Sequence, residues 1–503
     1  MKKNIIELFQ ESVLKYPQKT AVIFDDCKYS YSKLENDIKK YSYFLEQEGV
    51  KKGTHLILIL ENSYEYIVCM LSIANLGAVL IPVSTTIKQT SLEKSIDTTD
   101  ASFIILHASK LKMMDKQLLS PKYIALETIY KAQINTEKYF LNKNKVSPEE
   151  DYILTMTSGS TGDPKPIVFT QETKIQRALL AAKDLYNLDS DDTIITASPL
   201  YHSMGQRLVL LPLLIGATSV LLKKFHHQRW IEHMQNYKVT FTIAIASHLN
   251  ILVDKLDNNN IDSLQTLVSS SAPLTTEVKQ KLIEKLACEF HECYGASEVG
   301  IVTNLDAKTS HQYIQSVGKA LEFVDIKIVN EQKEEVPIGV IGEIIAKSTT
   351  SFSRYYNNPQ KTEESVVDGY FYTGDLGYLD KNDYLYFSGR KKDLIIVGGT
   401  NVYPIDVENV ISRVEGVEEV AVVGIENDYF GEIIVAVLVI NKNKFNLKNV
   451  KVACLRSLTD YQQPMQYLIV EKLPKNALGK IMKHKLKEEA SSKLTASLQR
   501  IFK

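Results

Sequence analysis

The chain has 503 residues, 44% of them apolar and 24% charged, with 59 Lys and Arg against 60 Asp and Glu. At roughly 100–200 residues per domain this length makes two to four folding units, and the ordinary composition excludes collagen-like and largely disordered chains. A net charge of −1 supplies no global field for a nucleic-acid backbone or an anionic membrane, so no nucleic-acid partner is expected and a charged ligand must be met locally.

Residues 4–15 and 32–49 carry helical apolar spacing, and the runs Leu56–Leu60 and Phe103–Leu106 read as buried strands. The amino terminus, MKKNIIELFQES, reaches Glu7 too soon to hold the roughly 7–15 apolar residues of a signal peptide. The longest uncharged run, Tyr66–Val83, is interrupted by Ser72, Asn75, Gly77 and Pro82. It predicts a buried helix, a stop at Gly77 and a short strand, since a membrane span needs about 20 apolar residues. A second apolar run, Leu208–Leu222, is shorter and contains Pro212 and Gly216. The five cysteines (Cys27, Cys69, Cys288, Cys293 and Cys454) are odd in number and widely spaced, which fits reduced thiols. A cytoplasmic protein with no membrane span is expected.

Strand and helix signals alternate through the first 300 residues, as in α/β layers. From about Ser316 the texture changes to short strands and turns at Val324–Val329, Ile341–Ala346, Gly369–Tyr372 and Tyr384–Phe387. After Arg390 comes a compact α+β segment: helix 404–414, strands 419–424 and 433–440, a helix near 447–458 and strand 467–471. The expected fold class is α/β. A large amino-terminal domain over residues 1–390 would comprise α/β subdomains at about 1–170 and 171–315 and a β-rich one at 316–390, followed by a small α+β domain over 393–503.

One loop carries chemistry. The strand Tyr152–Thr157 runs into Ser158-Gly-Ser-Thr-Gly-Asp-Pro-Lys165, and another short strand, Ile167–Phe169, follows. Gly159 and Gly162 permit positive φ and close approach, three hydroxyls offer donors, and Lys165 offers a cation; exposed backbone N–H groups in such a loop make an anion nest suited to polyphosphate. The spacing does not fit the Walker pattern, because the glycines lie too close together and Lys165 does not follow one.

This loop resembles the T-S-G-[ST]-T-G-x-P-K-G element of the adenylate-forming superfamily, with Pro166 in place of the usual glycine and Gln171 in place of a common histidine. Further elements follow in the family's order. They are Pro199-Leu-Tyr-His-Ser-Met-Gly205, Ser270-Ser-Ala-Pro-Leu274, Tyr294-Gly-Ala-Ser-Glu298, Tyr372-Thr-Gly-Asp-Leu376, Gly389-Arg-Lys-Lys-Asp393, Gly398-Gly-Thr-Asn-Val-Tyr-Pro404 and Leu478-Gly-Lys480. The closest pattern is that of acyl-CoA synthetases. The resemblance implies that Thr157, Ser158, Gly159, Ser160, Thr161, Gly162 and Lys165 hold the ATP phosphates. It places Ser271, Ala272, Pro273, Tyr294, Gly295, Ala296 and Ser297 around the adenine and α-phosphate, Asp375 on the ribose, and Arg390 beside both. Glu298 and Thr161 would hold Mg2+, and Lys480 would be the catalytic lysine of adenylation. Tyr201, His202, Met204 and Leu208 would border the acyl group. Lys392 matches a hinge about which the carboxy-terminal domain would rotate between an adenylating and a thiol-transfer pose, and in the second pose Gly398 and Gly399 would line the thiol tunnel.

The residue types suit the reaction the resemblance implies. Attack of a carboxylate on the α-phosphorus of ATP accumulates negative charge, so cations and donors around the phosphates matter more than an acid–base pair. Lys480, Thr161 and a magnesium on Glu298 meet that need, with Lys165 on the outgoing pyrophosphate. An ionised Asp375 accepts two ribose hydroxyls, and Arg390 is a permanent cation.

The expected activity is ATP-dependent activation of a fatty or aromatic carboxylic acid, then transfer to a pantetheine thiol, with CoA as acceptor. Pro199–Gly205 contains no carboxylate, which disfavours amino acids because a buried ammonium would lack its counter-charge. Two alternatives stay open: a stand-alone adenylation enzyme that loads phosphopantetheine of a carrier protein, and a catalytically silent nucleotide-binding protein. Monomer and homodimer are both compatible with the sequence.

Overall fold

The computed structural model describes residues 2–112, 121–143, 145–158, 164–256, 261–427, 429–475 and 480–501. Its first helix, Ile5–Lys15, begins in a capping box: the Asn4 side chain accepts from the Glu7 N–H while the Glu7 carboxylate accepts from the Asn4 N–H. Helix Tyr31–Gln47 is capped by Ser30. Helix Tyr64–Leu76 is capped by Ser63, is buried at every residue except Glu65, and ends at Gly77 with φ 65°. Such an all-round apolar helix belongs in a core, and Gly77 turns the chain into strand Val79–Pro82, as the sequence predicts. Its polar residues are satisfied internally: Ser72 donates to the Ile38 carbonyl and Asn75 to Ser42.

Among the described residues the strands form four sheets. In the seven-stranded sheet, His55–Ile59, Val79–Pro82, Phe103–Leu106, Lys122–Ala125 and Asp151–Ser158 run parallel. Pro164–Thr170 and then Arg354–Tyr355 add antiparallel at one edge. The nine-stranded sheet holds parallel strands Thr193–Thr196, Thr218–Leu221, Phe241–Ile245, Thr266–Ser270 and Glu289–Ala296. Antiparallel Gly300–Asp306 and Lys319–Ala320 close one side.

Its opposite side is closed by Thr20–Phe24, which pairs parallel with Thr218–Leu221, and by Cys27–Ser30. The pairing therefore crosses the subdomain boundary expected at 170. Ala21 and Val22 are fully buried there, and an apolar run shows that a strand is buried without showing against which sheet.

A five-stranded antiparallel sheet contains Val324–Val329, Gly342–Ser348, Val366–Val367, Tyr370–Leu379 and Leu385–Arg390. Another sheet contains Ile395–Val397, Thr400–Val402, Val417–Asn427, Gly431–Ile440 and Gln466–Ile469. Helix Lys483–Ile501 follows it. This is a mixed α/β protein with a large amino-terminal portion and a small carboxy-terminal one. No helix among the described residues is long and apolar enough to cross a membrane.

Candidate active site

A cavity of about 840 Å³ opens where strands Thr266–Ser270 and Glu289–Ala296 end, and the small carboxy-terminal portion reaches it through Lys480. Carboxyl ends of parallel strands are the usual place for a ligand in such sheets.

Asp375 and Arg390 face each other on the paired strands Tyr370–Leu379 and Leu385–Arg390. Asp375 Oδ1 lies 3.3 Å from Arg390 Nε, and Asp375 Oδ2 accepts from the Tyr294 hydroxyl at 3.0 Å. The turn before Asp375 is held by Thr373 Oγ1, which accepts from the Asp375 N–H and donates to the Ile344 carbonyl. Burial raises the Asp375 carboxyl above its usual range, opposed by Arg390 and Lys480. Burial and Arg390 pull the Lys480 ammonium down to about 8, opposed by Asp375 and Asp393. A cation and a carboxylate from opposite sides of the cleft thus act on each other across it.

Glu298 presents its carboxylate to the same cavity, with Oε1 accepting from the Tyr355 hydroxyl at 3.1 Å. Its backbone is fixed by Arg177, which donates to the carbonyls of Ser297 (2.9 Å), Glu298 (2.8 Å) and Thr350 (2.8 Å) while stacking 4.3 Å from the Phe169 ring centroid. No group of three or more His, Cys, Asp or Glu residues able to hold a metal occurs among the described residues. Glu298, which shares the cleft lining with Glu343, Glu364 and Asp375, fits Mg2+, which takes one or two carboxylates and completes its shell with phosphates and water.

The Tyr294–Glu298 stretch needs close backbone approach. A Cβ on Gly295 would stand 2.0 Å from the Gly300 carbonyl oxygen, so only glycine fits there. The turn at Ser270–Leu274 puts Ser271 at φ 79°, a strained conformation of the kind that gathers at functional sites. The Glu292 carboxylate, itself paired with Lys279, accepts from the Leu274 N–H and holds that turn.

His202 precedes helix Ser203–Ile215, and Gly205 in its first turn lies so close to the preceding turn that a Cβ would stand 2.4 Å from the Pro199 carbonyl. Asn62 clamps the same turn, donating to the Ser198 carbonyl and accepting from the Leu200 N–H. Burial pulls His202 down to about 4, so its ring is neutral near pH 7.

Of the residues expected in the site, Lys165, His202, Met204, Ser271, Tyr294, Gly295, Ala296, Ser297, Glu298, Asp375, Arg390, Lys392 and Lys480 border this cavity. Thr157 and Ser158 sit in strand Asp151–Ser158, opposite Lys165 and Pro164, whereas Gly159, Ser160, Thr161 and Gly162 lie outside the described residues. Other expected residues do not border the cavity. Leu208 is fully buried in the main core, because the inward face of its helix packs there. Tyr201 turns its ring beside His202 instead of lining the cavity. Ala272 packs toward the core beneath the nine-stranded sheet, and Pro273 does not border the cavity. Gly398 and Gly399, at φ 55° and 84°, form the turn between strands Ile395–Val397 and Thr400–Val402 and do not border this cavity; their place in the thiol tunnel is expected of the rotated pose.

The sequence reading missed Arg177, Arg207, Asn62, Glu292, Lys279 and Tyr355. Only a charged residue inside an otherwise apolar helix face, as at Arg207, offered a signal.

A nucleotide-sized cleft with a hydroxyl-accepting aspartate, a carboxylate suited to magnesium and an inserted lysine defines a nucleotide-activating enzyme of the adenylate-forming class. The chain belongs to the AMP-binding enzyme family: that family's model matches residues 9–356, and the model of the AMP-binding enzyme C-terminal domain matches residues 406–480. It is 28% identical to a 2-succinylbenzoate–CoA ligase of Listeria monocytogenes, over 96% of this chain and 99% of that one. It is 26% identical to a long-chain-fatty-acid–CoA ligase of Bacillus subtilis, over 97% and 94%. ATP-bound MatB from Rhodopseudomonas palustris superimposes with a TM-score of 0.89 at 25% identity, covering 97% of this chain and 99% of that one.

Proposed function

We propose that this protein is an ATP-dependent acid–thiol ligase of the AMP-forming type, with CoA as the thiol acceptor. The observation that carries the reading is the approach of Lys480, from the carboxy-terminal portion, to the cleft that also holds Asp375 and Arg390. A carboxylate oxygen of the acid attacks the α-phosphorus; the bond to the β-phosphate bridging oxygen breaks and pyrophosphate leaves. The thiol then attacks the acyl carbonyl, and AMP departs.

In this reading Asp375 accepts the ribose hydroxyls, Tyr294 packs beside the base, and Arg390, Lys165 and Lys480 face the phosphates. Thr161 joins Lys165 on the phosphates. Glu298 would hold Mg2+, which would supply positive charge to the triphosphate. His202, neutral, borders the acyl group without adding charge. Residues 1–390 form one unit, 391–392 the hinge, and 393–503 a domain that swings. Lys391–Asp393 is a short 3-10 turn, a place where few dihedrals absorb a large rotation. The Lys480-in arrangement is the adenylating one; the rotated arrangement brings Gly398 and Gly399 to the thiol path.

ATP–pyrophosphate exchange across C2 to C18 fatty acids, aryl acids, diacids and amino acids tests the first step. Consumption of the trapped adenylate by CoA, compared with a carrier-protein panel, tests the second. Exchange with no acid would overturn the proposal; consumption only by carrier proteins would overturn the choice of CoA.

A further inference from the structure

Arg207 lies half-buried in the second turn of helix Ser203–Ile215 and borders the same cavity as His202 and Met204. Its Nε is buried and has no hydrogen-bond partner among the described residues. Tyr186 and Cys293 are the groups that act on its charge, and neither is an ordinarily ionised acid. The nearby cations do not relieve it: Lys174 donates to Gln206 at 2.6 Å, and Arg177 is occupied by three backbone carbonyls. His202 Nε2 is a second buried polar atom without a partner on this side of the cavity.

A guanidinium whose Nε is buried without an anion or other acceptor is costly, and its planar fork matches a carboxylate in two parallel hydrogen bonds. The lining of the cavity also includes the apolar residues Leu180, Ala181, Ile301 and Phe323. The element that lacks a carboxylate for an ammonium is thus followed, two residues on, by a cation. We infer that the acid activated here carries a second carboxylate, remote from the one adenylated, and that Arg207 is the specificity residue that binds it across a short apolar or aromatic body. This narrows the fatty or aromatic carboxylic acid expected from the sequence, and it rests on the ligase reading of the cleft.

The test uses the full chain in ATP–pyrophosphate exchange with matched pairs: aliphatic and aryl dicarboxylates, and the same molecules with the distal carboxylate converted to a primary amide. Wild-type protein is expected to prefer a diacid over its monoamide by roughly 10- to 100-fold in kcat/KM, the range of a charge-assisted hydrogen-bonded pair. Arg207→Leu and Arg207→Gln should abolish that preference while leaving the Kd for ATP within about twofold. Equal use of diacid and monoamide by the wild type overturns the inference, and this comparison needs no variant to fold. An Arg207→Leu protein that loses ATP affinity also overturns it, by assigning Arg207 to the nucleotide. Exchange with monocarboxylates alone overturns this inference but spares the ligase; exchange with no acid overturns both.

Discussion

Arg177→Met should separate the scaffold of the site from its chemistry. The guanidinium bonds three carbonyls, at 2.8 Å to Thr350, 2.9 Å to Ser297 and 2.8 Å to Glu298. The Thr350 bond is buried, whereas the other two border the cleft, where water can replace part of what is lost. Assigning about 2 kcal/mol to the buried carbonyl and about 1 kcal/mol to each of the others gives a destabilisation of roughly 4 kcal/mol. Methionine retains apolar contact with Phe169 and so limits the packing loss. Urea denaturation monitored by circular dichroism measures the shift. Because Arg177 acts through the Glu298 backbone, the Mg2+ concentration needed for half-maximal exchange should also rise by about tenfold, in the residual folded protein at low temperature. Arg177→Lys should recover only a small part, since one ammonium cannot reproduce a three-carbonyl fork. A loss under about 1 kcal/mol, or a lysine variant equal to wild type in both readouts, would refute the reasoning.

Lys480→Met should lower exchange by at least roughly a hundredfold while sparing CoA transfer from a supplied acyl-adenylate; equal loss in both assays contradicts the assignment. Lys480 is active as the ammonium, and its pKa in the ligand-free protein is about 8. The kcat/KM for ATP should therefore fall as pH rises through about 8, and in Lys480→Arg the alkaline limb should move upward; a flat wild-type profile from pH 7 to 9.5 counts against it. Lys279→Met leaves the Glu292 carboxylate buried without its cation and should cost about 3–5 kcal/mol in denaturant unfolding, much of it regained in Lys279→Met/Glu292→Leu. Tyr294→Phe removes the hydroxyl bonded to Asp375 and should raise the KM for ATP severalfold with little change in the KM for the acid.

The parts of the fold that depend on neighbours along the chain were legible. Helix Tyr64–Leu76 and its Gly77 stop follow from an apolar run ending in glycine, and Phe103–Leu106 and Val324–Val329 appear at the predicted bounds. The strand predicted at Gly369–Tyr372 runs instead from Tyr370 to Leu379, because ladder pairing carries Thr373–Asp375 across residues that read locally as a turn. In the site, motif residues could be placed because the resemblance fixes them as short strings. Arg177 and Lys279 could not: Arg177 meets the Ser297 carbonyl across 120 residues, Lys279 reaches from a helix to Glu292 on a neighbouring strand, and nothing local marks either helix-borne cation as buried. Leu208 does not border the cavity for a geometric reason, since Arg207 and Leu208 are neighbours about 100° apart on one helix and only one of them faces it.

The pairing of Thr20–Phe24 with Thr218–Leu221 also bears on how the chain is made. During synthesis the first strand of the nine-stranded sheet, paired early only with Cys27–Ser30, must wait for nearly 200 further residues before its parallel partner exists, while the seven-stranded sheet, apart from its Arg354–Tyr355 edge, has all of its strands by Thr170. The earlier-completed sheet therefore offers a surface on which the waiting segment and helix Ile5–Lys15 can be sheltered, with Phe9 and Tyr152 in one shared core. Vectorial folding has a built-in order here. A fragment cut near residue 170 would emerge with an unpaired, apolar strand edge that invites self-association, so the two sheets are separable in a drawing and inseparable on the ribosome.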